Sequence, residues 1–224
     1  MRVRRSFCLW VAAVAVILGA CGDAMEGGPG GALPYASELI SFDPGEGAGH
    51  GQQDLPDVVL GPPKSTDEGG STSNVLSLGA GGSIVLGFGD RSITDGPGDD
   101  FIVFENAFYT EFEDDGVWEE LGRVSVSRDG ETWHRFECHT DPVEPEDGPY
   151  RWPGCAGWTP TKVYDAGSTT TLDPTVTGGN SFDLSDLGLE RINYVRITDL
   201  TESTDLESKA GFDLDAVGIV HVGR

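Results

Sequence analysis

The sequence predicts an all-β protein, an antiparallel β-sandwich of jelly-roll type. Short apolar or alternating runs rich in β-branched and aromatic residues recur along the chain, turns rich in Gly, Pro and Asp separate them, and no stretch sustains a helical period. A chain of 224 residues with 33 glycines and 13 prolines is long enough for one large β domain, which we place at residues 35–224.

Tyr35 to Phe42 makes a first strand, followed by the loop Pro44-Gly45-Glu46-Gly47-Ala48-Gly49-His50-Gly51, which cannot hold regular structure. Val58-Val59-Leu60 stops at Gly61-Pro62-Pro63. Asn74–Leu78 and Ser83–Phe88 flank Gly79-Ala80-Gly81-Gly82 and read as a hairpin with a wide turn. The acidic turn Asp95-Gly96-Pro97-Gly98-Asp99-Asp100 then runs into Phe101-Ile102-Val103-Phe104. Four consecutive apolar residues require cover on both faces, so this strand is central.

Arg123–Ser127 alternates, turns at Asp129-Gly130 and returns as Thr132–Glu137; Asp-Gly between alternating runs is a strong hairpin signal. Trp133 and Phe136 there read as core and edge packing. From His139 to about Thr177 the chain is long and irregular. Ser181–Leu184, Ile192–Ile197 and Phe212–Val222 supply the last strands, with one short helical turn over Leu184–Leu189.

The N-terminus is of a different kind. Arg2, Arg4 and Arg5 precede an apolar run from Phe7 to Leu18, the pattern of a secretory signal over residues 1–20 and too short for a confident membrane span. Leu18-Gly19-Ala20-Cys21 resembles the lipobox of bacterial lipoproteins, which implies that Cys21 becomes the lipidated N-terminus of an exported protein. Acyl chains there would hold the protein to a membrane without a spanning helix. Gly22 follows the cysteine where, by resemblance to Gram-negative lipoproteins, Asp would favour the inner membrane, so the outer membrane or cell surface is the implied address. Residues 21–34 are Gly-rich and read as a flexible tether.

Removal of the three arginines with the signal takes the formal charge from −24 to −27. Such a surface repels nucleic acid and anionic lipid, and suits a solvated extracellular protein or one that takes divalent cations. Cys138 and Cys155 are the cysteines left to the exported domain, and an oxidising compartment favours their pairing. Zinc held with His134 and His139 is the alternative, although the spacing matches no zinc template.

Val124-Ser125-Val126-Ser127-Arg128-Asp129-Gly130-Glu131-Thr132-Trp133 resembles a hairpin of discoidin-like, galactose-binding-like jelly rolls, and Ile192-Asn193-Tyr194-Val195-Arg196-Ile197 resembles one of their strands. Asp95–Asn106, Ser181–Leu189 and Gly211–Val217 resemble a family of poorly characterised bacterial cell-surface lipoproteins. The resemblance covers Val75 to Val222. It implies a fold and a surface location and no activity, because the loops with which discoidin-like domains bind sugar or phospholipid are not recognisable.

Asp213 and Asp215 alternate along the closing strand, so they share a face while Phe212, Leu214 and Ala216 take the other. Solvent or a shared cation would account for that pairing. Ca²⁺ accepts oxygen ligands in irregular geometry, and we expect it to join Asp95, Asp99 and Asp100 of the acidic turn, with Glu105 or Asn106, to Asp213 and Asp215. Tyr150 and Trp152, between the cysteines, and Trp158, just beyond Cys155, are candidates for stacking on a glycan or anchoring a surface protein. No nucleophile elbow and no phosphate loop is present. The function expected is therefore a non-catalytic binding or structural module on the cell surface, the alternative being a secreted hydrolase, glycoside hydrolase-like, that uses paired carboxylates.

Overall fold

The computed structural model describes residues 33–64, 70–111, 116–146, 148–162, 172–201 and 211–223. Contacts divide the chain between Gly31 and Ala32, and the described residues belong to the second unit. Cys21, the signal and most of the tether lie outside them.

Fifteen strands are described: β1 (Glu38–Asp43), β2 (Leu76–Ser77), β3 (Ser83–Gly87), β4 (Ser92–Thr94), β5 (Phe101–Glu105), β6 (Phe108–Tyr109), β7 (Val117–Trp118), β8 (Gly122–Ser127), β9 (His134–Arg135), β10 (Cys155–Ala156), β11 (Asn180–Phe182), β12 (Arg191–Ile192), β13 (Tyr194–Asp199), β14 (Asp213–Ile219) and β15 (Val222–Gly223). A four-residue helix, α1 (Pro174–Thr177), and short 3₁₀ turns, one of them Leu184–Leu187, are the described helical content. A six-stranded sheet runs β1-β3-β13-β8-β10 with β9 on β8, and a four-stranded sheet runs β11-β5-β14-β2. The strand pairs are antiparallel, as the short apolar runs and tight turns require.

The two sheets close on one core. From the six-stranded sheet, cross-strand rows Leu86–Val195–Val126 and Ile84–Ile197–Val124 point inward. Phe101, Val103, Leu214, Val217 and Ile219 of the other sheet meet them, and Phe101 stacks on Phe182 with ring centroids 5.2 Å apart. A second, smaller cluster of Tyr35, Ile102, Phe104, Leu172 and Ala216 covers the back of β5. This is why four consecutive apolar residues are tolerated there: β5 lies between β11 and β14 and is buried on both faces. The fold class is the one expected, an antiparallel β-sandwich.

Two local expectations change. Leu76–Ser77 and Ser83–Gly87 are not a hairpin: β2 pairs with β14 and β3 with β1 and β13, so the glycine turn carries the chain from one sheet to the other. The closing strand is bulged between Leu214 and Ala216. A bulge breaks the two-residue alternation, and so Ala216 joins the smaller cluster while Phe212 and Leu214 stay in the main core. Cys138 and Cys155 are disulfide-bonded, which removes both from the zinc alternative.

Candidate functional site

The register that buries one face of the six-stranded sheet dictates what the other presents. Between the inward rows, Ser41, Val85, Arg196, Ser125 and Arg135 align across β1, β3, β13, β8 and β9. A bulge in β1 between Leu39 and Ser41 leaves Ile40 half exposed at its edge. The β8–β9 hairpin then folds its turn back towards this face. Gly130 takes φ 79° there, a left-handed value that a glycine meets without steric cost. The Trp133 ring consequently lies over the Arg196 guanidinium, 3.7 Å from carbon to ring centroid, while its indole N–H donates to the Gly130 carbonyl at 3.2 Å. Partial desolvation lowers the Arg196 pKa.

The result is a groove of about 540 Å³, walled by Trp133, Tyr194, Arg196 and Val85, with Asp43 and Glu131 among its polar groups. Asp129 forms its turn corner. That carboxylate accepts from the Thr132 N–H at 2.7 Å and the Glu131 N–H at 2.9 Å, which hold its pKa down to about 2. The groove therefore combines an aromatic ring already fixed by stacking, one cation and several acceptors on a rigid sheet. Sequence reasoning assigned Trp133 to packing; the usable signal was its place just beyond the Asp-Gly turn, opposite Arg196.

Tyr150, Trp152 and Trp158 do not form the exposed platform expected of them. Trp152 is buried, Tyr150 packs against its edge, and the Trp158 indole N–H donates to the Cys155 carbonyl at 3.0 Å. Their rings and polar atoms hold the disulfide-bracketed loop together.

The expected calcium set is divided. β14 runs antiparallel to β5, with Ile219 opposite Phe101 and Leu214 opposite Glu105. Five residues of strand, roughly 16 Å at 3.3 Å per residue, separate Asp100 from Glu105. One ion therefore cannot join the acidic turn to Asp213 and Asp215, and the register corrects that linkage. At the turn, buried Asp100 accepts from the Gly96 N–H at 2.8 Å and the Leu184 N–H at 2.7 Å, and one of its oxygens lies 2.8 Å from His221 Nδ1. Asp99 accepts from the Ser181 hydroxyl at 2.5 Å. Asp95 and Asp183 approach Asp100 closely enough to share an ion, yet both Asp100 oxygens already have protein donors.

Glu105, Asn106, Asp213 and Asp215 gather at the other end. The Asn106 side-chain oxygen accepts from the Thr72 N–H at 2.7 Å, and Asp215 accepts from the Lys64 N–H at 2.8 Å. Burial raises the Asp213 pKa, and it raises the Glu105 pKa well above the ordinary carboxylate range, with the charges of Glu120 and Asp213 adding to it.

No protein-family profile matches the sequence, and no curated protein does. Among solved structures, the chain is similar to "CBM32 of AlyQ in complex with 4,5-unsaturated mannuronic acid", at 14% identity over 83% of this chain and 98% of that one, with a TM-score of 0.37. It is also similar to "Truncated AlyQ with CBM32 and alginate lyase domains", at 12% identity over 85% of this chain and 33% of that one, with a TM-score of 0.35. Superposition at this level says nothing about what this chain binds. The assignment of the groove rests on its own residues.

Proposed function

We propose that this domain is a non-catalytic carbohydrate-binding module, displayed on the bacterial surface by a lipid on Cys21, and that the Trp133–Arg196 groove is where it takes a glycan. The observation that carries the reading is the fixed indole at the mouth of an open sheet-face groove beside Tyr194, Arg196, Asp43 and Glu131. An indole or phenol ring offers an apolar face to the C–H face of a sugar, while charged side chains fix the hydroxyls around it. Asp129 serves as a turn former: with its pKa near 2 it stays an acceptor and makes a poor proton donor at neutral pH. Acids outnumber the one arginine in the groove, and the whole chain is at −24, which favours an uncharged, hydroxyl-rich glycan over a polyanionic one.

The test is an array of neutral and acidic glycans probed with the full-length protein in detergent, followed by affinity electrophoresis on the best neutral polysaccharide. Trp133→Ala should weaken retention about tenfold or more, a loss in the range of one stacking contact. Unchanged retention by this variant, or no glycan retained by the parent protein, would overturn the reading. Cys21→Ser should move the protein from the membrane to the soluble fraction on cell fractionation.

A further inference from the structure

The outer face of the six-stranded sheet gathers three arginines around one serine. Arg196 of β13 and Arg135 of β9 stand opposite Ser125 of β8, one on each side of it, and Arg123 precedes Ser125 by two residues on the same strand. All three therefore share its face, while Val124 and Val126 turn into the core. Strand spacing puts the Arg135 and Arg196 backbones roughly 10 Å apart, with Arg123 about 7 Å along β8 from Ser125. Long side chains reach one another over such spans. In a chain with 14 lysines and arginines against 38 acids, such a gathering of cations needs a cause.

The protein itself supplies no counter-charge. Among the described residues the ion pair joins His221 to Asp100, and no carboxylate pairs with Arg123, Arg135 or Arg196, not even Glu137 two residues beyond Arg135. The acids of β1 on this face, Glu38 and Asp43, lie three strands from Ser125, roughly 14 Å away. Arg196 is the sharpest case. The Trp133 indole covers the flat face of its guanidinium at 3.7 Å, and that stacking leaves the N–H donors, which point outward in the plane, with no acceptor among the described residues. A stacked, partly desolvated guanidinium with open donors calls for an acceptor, and a second cation on the far side of Ser125 calls for a charged one.

We propose that Arg135 and Arg196, with Ser125 between them and Arg123 beside it, take a single oxyanion, a carboxylate or a sulfate ester, carried by the glycan that lies in the Trp133 groove. The inference rests on the glycan reading and adds a substrate class to it: a mostly neutral sugar chain with isolated acidic substituents. The site is continuous with the groove, because Arg196 is both a wall of the groove and one end of the arginine group. A guanidinium fork matches the paired oxygens of a carboxylate or sulfate, and the serine hydroxyl lies where it can donate to the same group. One oxyanion is neutralised there, whereas the further charges of a polyanion would meet Asp43 and Glu131 along the groove.

Matched oligosaccharides decide it. Each neutral oligosaccharide that the full-length protein retains on the array is titrated by isothermal calorimetry beside the same oligosaccharide with one sugar oxidised to a uronic acid, and beside the same oligosaccharide with one sulfate ester. We expect a charged member to bind about fivefold or more tightly than its neutral counterpart, and the advantage to fade at high salt. The two charged arms tell which oxyanion is preferred. Arg135→Gln should bring the charged member down to the level of the neutral one. Arg151→Gln, which removes the same charge from the loop between the cysteines, should keep the advantage, so that net charge alone is not its source. No advantage for either charged member in the parent protein, or an advantage that Arg135→Gln leaves intact or Arg151→Gln abolishes equally, would overturn the inference and leave the neutral-glycan reading standing. A parent protein that binds no member of any set, charged or neutral, would overturn both.

Discussion

Asp100 and Asp129 show how the acidity of this chain is put to structural use. Asp100 sits at zero exposure, yet its two oxygens meet two amides and the His221 ring, so the turn is fixed from inside. Asp129 is at the surface and works through the Glu131 and Thr132 amides, which lower its pKa from 3.8 to about 2. A carboxylate whose folded pKa is depressed contributes stability above its unfolded pKa and loses it as the pH falls towards the folded value. Asp129→Asn should therefore be less stable than the parent at neutral pH, and the difference should shrink between pH 3.8 and about 2. Denaturant melts across that range measure it, and a gap that stayed constant with pH would contradict the role assigned to the charge. The consequence reaches the groove, because the same turn positions Trp133 over Arg196.

At the level of elements, polar side chains decide the connections that strand pairing leaves open. Asn180 on β11 is buried, and its side-chain oxygen accepts from the Gly157 N–H at 2.8 Å and the Trp158 N–H at 3.1 Å while its amide donates to the Thr159 hydroxyl at 2.9 Å. It thereby clamps the chain leaving β10. Asn180→Ala would strand those buried amides at a cost of about 2 kcal/mol or more. A urea midpoint lowered accordingly, with unchanged slope, is the expected result, and an unmoved midpoint would show that the clamp is dispensable. Such a clamp is not legible in the sequence, because Asn180 meets residues more than twenty positions away. What could be read was local: the Asp-Gly hairpin, the doubly buried run Phe101–Phe104 and the cysteine pair each carry their signal within a few residues or in the compartment. What could not be read was pairing. The Gly79–Gly82 turn has hairpin composition but joins two sheets, and the bulge at Leu214/Ala216 moved Ala216 to the other face. The expected calcium set joined acids that the fold keeps apart, because only register shows that Asp213 lies at the Glu105 end of β5 and far from Asp100.

Across the whole molecule, the buried acids set a pH dependence opposite to that of Asp129. Burial raises the pKa of Glu105, Asp199 and Asp213, in Glu105 from an ordinary 4.5 to well above it. Between the unfolded and folded pKa of such a group the folded state binds more protons than the unfolded chain, so stability falls as pH rises through that window. The charge of −24 adds self-repulsion in the same direction, since each further ionisation charges an already anionic fold. In EGTA the melting temperature should therefore decline as the pH is raised from about 4.5 towards neutrality, and Glu105→Gln, which carries no ionisable group there, should flatten the decline. A melting temperature that rises with pH in EGTA, or a slope that Glu105→Gln leaves untouched, would mean that the carboxylates at the base of β14 are not the groups whose burial limits the stability of this domain.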